Sequence, residues 1–205
     1  TAFPVVDLGL FRIRTYVASF LVIALQNLAM YSLLFELPLV CGIALKATGS
    51  RTGPLLIAMM APTILLSPIA GRLADKWGPR LLALIGTFSS ATGVLLLLAI
   101  PLTSLLSAVP GLVMIGVGLG AANAPAQSAG MSSVSPAQSA SAAGLSSTMR
   151  YLGGVLGSLL LGVLFSRGAT PDNVLTIHRE ALWCFLVALL LAAASAAMLP
   201  SRLRR

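Results

Sequence analysis

Few side chains in this sequence could do chemistry, and most of them sit inside long apolar runs. Gln26, Asn27, Tyr31 and Glu36 fall in one run, Asn123 and Gln127 in another, and Arg150 in a third. A polar group in hydrocarbon is costly unless a cavity or a protein partner receives it. The runs hold no nucleophile beside a base, no paired carboxylates and no cluster of metal-ligating types, so neither an enzyme nor a cofactor or metal is expected. What remains is binding a solute, holding a gate or carrying a proton.

Gln26 and Asn27 lie roughly 15 Å along a helix from Tyr16, near mid-bilayer, and Asn27, Tyr31, Leu34 and Pro38 share a face. That stripe reads as a cavity wall, or as hydrogen bonding to a neighbouring helix. Glu36 lies about 180° from Asn27 around an ideal helix and ~30 Å from Tyr16, at the outer edge of the run. It is either a solvated interfacial carboxylate or a proton-coupling candidate; proton-coupled exchange needs such a group inside the membrane. Gly116, Gly120, Asn123 and Gln127 fall within ~40° of one another, a packing seam that ends in two amides, and Asn123 and Gln127 are expected to line a substrate cavity with Gln26, Asn27 and Tyr31. Arg150 shares a face with Ser146, Gly153 and Gly157 and must find a partner, for which Asp75, backbone carbonyls or an anionic substrate are the choices. His178 stands beside Arg179 and Glu180 and reads as a solvated interface residue. Cys41 and Cys184 read as small packing residues.

Hydrophobic residues make up 58% of the 205 residues and charged ones 9%, which places the chain among membrane-embedded helical proteins. Net charge is +8, but the cations sit at the ends of apolar runs, where lipid headgroups lie, so nucleic acid is not expected as a partner. Six spans are expected, at about 15–43, 54–72, 79–100, 105–131, 142–165 and 179–199, after a lead-in or linker over 1–14 and before a basic tail at 200–205. With both termini inside, Arg12, Arg14, Arg72, Lys76, Arg80, Arg202, Arg204 and Arg205 are cytoplasmic, against Lys46, Arg51, Arg167 and Arg179 outside. That excess predicts a multi-pass protein of the cell (inner) membrane with both termini cytoplasmic.

Between the second and third runs stands a charged turn, Gly71, Arg72, Leu73, Ala74, Asp75, Lys76, Trp77, Gly78, Pro79 and Arg80. Its G-x-L-A-D-x-x-G-x-R spacing resembles the signature loop of the major facilitator superfamily. With Arg14-Thr15-Tyr16, Leu34 to Leu39 and Gly144 to Gly157, nearly the whole chain resembles the C-terminal six-span half of the fourteen-span drug:proton antiporters. The resemblance implies an all-α membrane protein, one half of a major facilitator fold, whose six spans form inverted three-span repeats; no such symmetry is visible in the residues. It implies a secondary transporter half, exporting amphipathic or lipophilic small molecules by alternating access, with protons as a coupling ion. Gly71, Arg72, Asp75, Gly78, Arg80 and Arg150 would then form a cytoplasmic gate. Two departures stand out: relatives are usually apolar at the position of Glu36, and Ser135-Pro136-Ala137-Gln138 lacks the carboxylate common in that loop. The second six-span half would be a self-copy in a homodimer, a separate chain, or the remainder of a longer transporter. A non-transporting membrane scaffold is the competing reading.

Overall fold

The computed structural model describes residues 8–166 and 168–201; the start of the lead-in, Arg167 and the arginines of the tail lie outside them. A 3-10 turn, Leu8–Arg12, precedes six helices: α1 (Arg14–Leu45), α2 (Gly49–Trp77), α3 (Pro79–Ala99), α4 (Leu105–Ser132), α5 (Ser139–Phe165) and α6 (Val174–Ala196). All six are long and apolar enough to cross a membrane, and no strand occurs among the described residues. The protein is an all-α membrane protein of six transmembrane helices. The joints are short where the chain must reverse. Gly78 alone separates α2 from α3, at φ 87°, a conformation that needs glycine, and Pro79 then opens α3 at its first position.

Helices α2 and α6 begin at 49 and 174, earlier than the apolar runs that mark them in the sequence. A helix continues past the hydrocarbon into the interface because its backbone bonds are internal, so polarity marks the membrane edge and not the helix end. The consequence is largest for α6, whose first turns include the polar cluster around His178.

Packing follows an inverted three-helix repeat. Helix α1 packs on α5 and α6, α4 packs on α2 and α3, α1 crosses α4, and α3 meets α6. Exchanging α1 with α4, α2 with α5 and α3 with α6 reproduces this pattern, and each exchanged helix runs the opposite way across the bilayer. Small residues make the close crossings. A Cβ on Gly116 would run into the Met59 carbonyl oxygen of α2, and one on Gly120 would lie 2.9 Å from that of Thr63. A Cβ on Gly153 would strike the carbonyl oxygen of Ala24, and one on Gly157 the Ser32 hydroxyl. Without a hydrophobic drive between helices in lipid, such backbone approach is the main source of packing energy.

Helices α2 and α5 are the least covered: 17% of the most apolar window is buried in each, against 39–56% in the other four. They lie at opposite edges of the repeat, and one face of each is open.

Candidate functional site

The mid-membrane amides meet where α1 crosses α4. Asn27 Nδ2 donates to the Ile23 carbonyl at 2.7 Å and to Asn123 Oδ1 at 3.3 Å. Asn123 Nδ2 in turn donates to the Leu119 carbonyl at 3.1 Å. Each amide thus back-bonds to the carbonyl four residues earlier, and the two repeats present matching polar groups at their crossing. Close by, Arg150 Nη2 of α5 donates to Gln127 Oε1 of α4 at 3.2 Å. Gln127 is therefore the partner that the sequence reading lacked for Arg150; Asp75 is not. Asp75 is exposed and makes no hydrogen bond or ion pair with the described residues.

Two adjoining clefts of about 380 and 390 Å³ run between α1 and α5, reaching Tyr31, one helical turn beyond Asn27, while Asn27, Asn123, Gln127 and Arg150 are not among the residues that line them. Tyr31, Phe35 and Leu39 form one wall and Tyr151, Val155 and Leu159 the other, with Ser158 shared by both clefts. Aromatic and aliphatic walls with a sparse set of polar groups are what a lipophilic solute requires. Tyr31 lines this space. Gln26 does not: it is fully buried, neither of its side-chain polar atoms has a partner, and it lies on the α1 stripe of Val22, Ala29 and Leu33, away from Tyr31.

Glu36 and His178 depart furthest from expectation. Both are buried, at 1% and 4% exposure, and His178 Nδ1 lies 2.8 Å from Glu36 Oε1. Neither is solvated at an interface. Once α6 starts at Val174, His178 falls on the inward stripe of Val174, Ile177, Ala181, Leu182 and Phe185, spaced as one helix face demands. That periodicity was the available signal; the flanking Arg179 and Glu180 masked it. Cys41 is buried and Cys184 half-buried, and both are free.

The signature residues sit at the end of α2 and the start of α3. Arg72, Asp75 and Arg80 are exposed, while Gly78 is buried and serves the reversal. Gly71 lies inside α2, and a Cβ there would meet nothing within 4 Å. Close approach within this chain therefore does not explain it; the open space lies in a helix whose outer face has no cover.

A model of the Major Facilitator Superfamily matches residues 1–158, and the chain belongs to that superfamily. The chain is 27% identical over 168 residues to the MFS-type transporter YvkA of Bacillus subtilis, covering 80% of this chain and 37% of that protein. It is 25% identical over 184 residues to the multidrug resistance protein B homolog of Mycobacterium tuberculosis, covering 88% and 34%. It is 24% identical over 166 residues to the lincomycin resistance protein LmrB of Listeria monocytogenes, covering 80% and 35%. The chain thus spans about a third of the length of these relatives.

Proposed function

We propose that this chain is the C-terminal half of a secondary transporter that exports amphipathic or lipophilic small molecules by alternating access, with protons as the coupling ion. The observation that carries the reading is the apolar, aromatic α1/α5 cleft, whose wall residue Tyr31 stands one helical turn from Asn27 in the polar group of Asn27, Asn123, Gln127 and Arg150. The cleft takes the lipophilic body of a solute and the polar group orients its head. The names of two relatives, which concern drug and lincomycin resistance, agree with a solute of that type.

The uncovered faces of α2 and α5 support a second six-span half packed against them, from a self-copy in a homodimer, a separate chain or the rest of a longer polypeptide. Gly71 with its open space, and Arg72, Asp75 and Arg80 with no hydrogen-bond or ion-pair partner among the described residues, then act as a gate against that second half, together with Arg150. Both termini face the cytoplasm of the cell membrane by the distribution of cations.

Native mass spectrometry of the purified chain in nanodiscs gives its copy number, and efflux of a lipophilic cationic dye from proteoliposomes under a pH gradient tests transport. Dye efflux that depends on the gradient and is lost in Asn27→Ala supports the reading. Normal efflux in both Asn27→Ala and Arg150→Ala would remove the proposed site.

A further inference from the structure

Glu36 and His178 do not stand alone: each lines a different cavity. Glu36 contributes to the lining of the α1/α5 cleft, on the side of the solute. His178 lines a separate cavity of about 230 Å³, formed by the end of α3, residues 97–102, and the first turns of α6. That cavity opens where α1 ends and α6 begins, the membrane side opposite the signature turn. One oxygen of Glu36 is bound to the imidazole at 2.8 Å, and its other oxygen, Oε2, is buried with no partner. A carboxyl oxygen left bare in a buried site is costly unless it gains a proton or a partner at some stage of a cycle.

We infer that Glu36 and His178 form a two-residue proton relay that joins the loop-side cavity at α3 and α6 to the α1/α5 cleft. This rests on the reading of Glu36 as the coupling group and gives that group its route to water. The proton balance is simple. A hydronium ion in the loop-side cavity gives its proton to Nε2 and leaves water. The Nδ1 proton moves to Glu36 Oε1, leaving a neutral carboxylic acid and an imidazole that carries its proton on Nε2. Release from Glu36 into the cleft restores the carboxylate, and a flip of the ring, which turns the protonated nitrogen toward Glu36 and the bare one toward the loop-side cavity, restores the starting arrangement.

Other titratable groups near the pair are few. Cys41 lies beyond Glu36 on α1, and Arg179 and Glu180 flank His178 on α6, with Arg179 sharing its cavity. The α5 residues beside Glu36 are Ser158, Leu161, Gly162 and Phe165, and the α3 end contributes leucines, Ala99, Ile100 and Pro101, so neither helix adds a charge. Glu36 and His178 are thus the bonded pair of titratable groups that touches both cavities.

The chain has a single histidine, so 15N-histidine labelling of the chain in nanodiscs reports on this ring without ambiguity. In the wild type the two ring nitrogens follow a titration shared with the carboxyl; in Glu36→Gln the midpoint is displaced by about one pH unit or more, as coupled sites require. Leu102→Trp, which fills the loop-side cavity, slows exchange of the Nε2 proton with water at least about tenfold and leaves the Nδ1 contact in place. Equal midpoints in wild type and Glu36→Gln, or exchange indifferent to Leu102→Trp, would overturn the relay. The readout is the ring itself, so a chain that moves no dye still decides the matter. Dye efflux that ignores the pH gradient would instead refute proton coupling and leave the ring's titration as found.

Discussion

Substituting the glycines one at a time by alanine tests the inverted-repeat packing directly. At Gly153 the new methyl group runs into the Ala24 carbonyl oxygen, and at Gly116 into that of Met59; both obstacles are helix backbone and cannot rotate away. The α1/α5 and α2/α4 pairs must each separate by roughly an ångström, an overpacking that costs about 1–3 kcal/mol. At Gly120 the nearest atoms lie at 2.9 and 3.1 Å, so the cost there is smaller, about 1 kcal/mol or less. Gly144 and Gly162 sit in the same helix as Gly153 and have nothing within 4 Å; alanine there gains up to about 1 kcal/mol of helix propensity. The expected order of stability is thus Gly144→Ala and Gly162→Ala above wild type, then Gly120→Ala, then Gly116→Ala and Gly153→Ala. Reversible unfolding in mixed detergent micelles, followed by circular dichroism, reads these differences. If Gly153→Ala and Gly144→Ala fall within about 0.5 kcal/mol of each other, the close crossing of α1 and α5 is wrong.

Three further outcomes follow from the polar groups. A double-mutant cycle on Asn27→Ala and Asn123→Ala gives a coupling of about 0.6 kcal/mol in unfolding, the scale of interhelical hydrogen bonds in membranes; no coupling would mean that the amides do not meet. Arg150→Met and Gln127→Ala couple by about 0.5–1.5 kcal/mol, measured the same way, whereas Arg150→Met with Asp75→Asn is additive. Asp75→Asn and Gly71→Ala leave the unfolding of the isolated chain within about 0.5 kcal/mol of wild type or above it, yet lower dye efflux in proteoliposomes; undiminished efflux in both variants would remove the gate.

The six helices were legible because uncharged runs of sufficient length have no other stable form in a bilayer. Which face of each helix turns inward was not. In a soluble protein the polar face marks the outside, but lipid and core are equally apolar, so Leu33 in the core and Phe35, largely exposed, look alike in the sequence. Polar residues alone break that degeneracy, and they did so unevenly. Asn27 and Asn123 were found as mid-span amides, and their contact places α1 against α4. Arg150 was recognised as needing a partner, but Gln127 was already assigned to a cavity and was not weighed for the part. His178 was misread because its neighbours Arg179 and Glu180 are polar, although the spacing of Val174, Ile177, Ala181 and Leu182 puts it on the buried side. Gln26 shows the converse: adjacency to Asn27 suggested a shared role, and a rotation of 100° per residue gives it different neighbours.

The missing sequence symmetry has a physical cause of the same kind. Two close crossings join the repeats at their edges, α1 on α5 and α4 on α2, and such a crossing can be made with small residues on only one of its two helices. In the first the glycines, Gly153 and Gly157, are on α5; in the second, Gly116 and Gly120 are on α4. Under the exchange that relates the repeats, α5 corresponds to α2 and not to α4, so the same distance is achieved by non-equivalent helices and the residues do not align. What the repeats do share is the amide at their crossing, Asn27 and Asn123, each bonded to the carbonyl four residues before it. Backbone geometry can be repeated with the small residue on either side, whereas a hydrogen bond between two facing groups needs both. The polar pair therefore keeps the symmetry that the packing seams have lost.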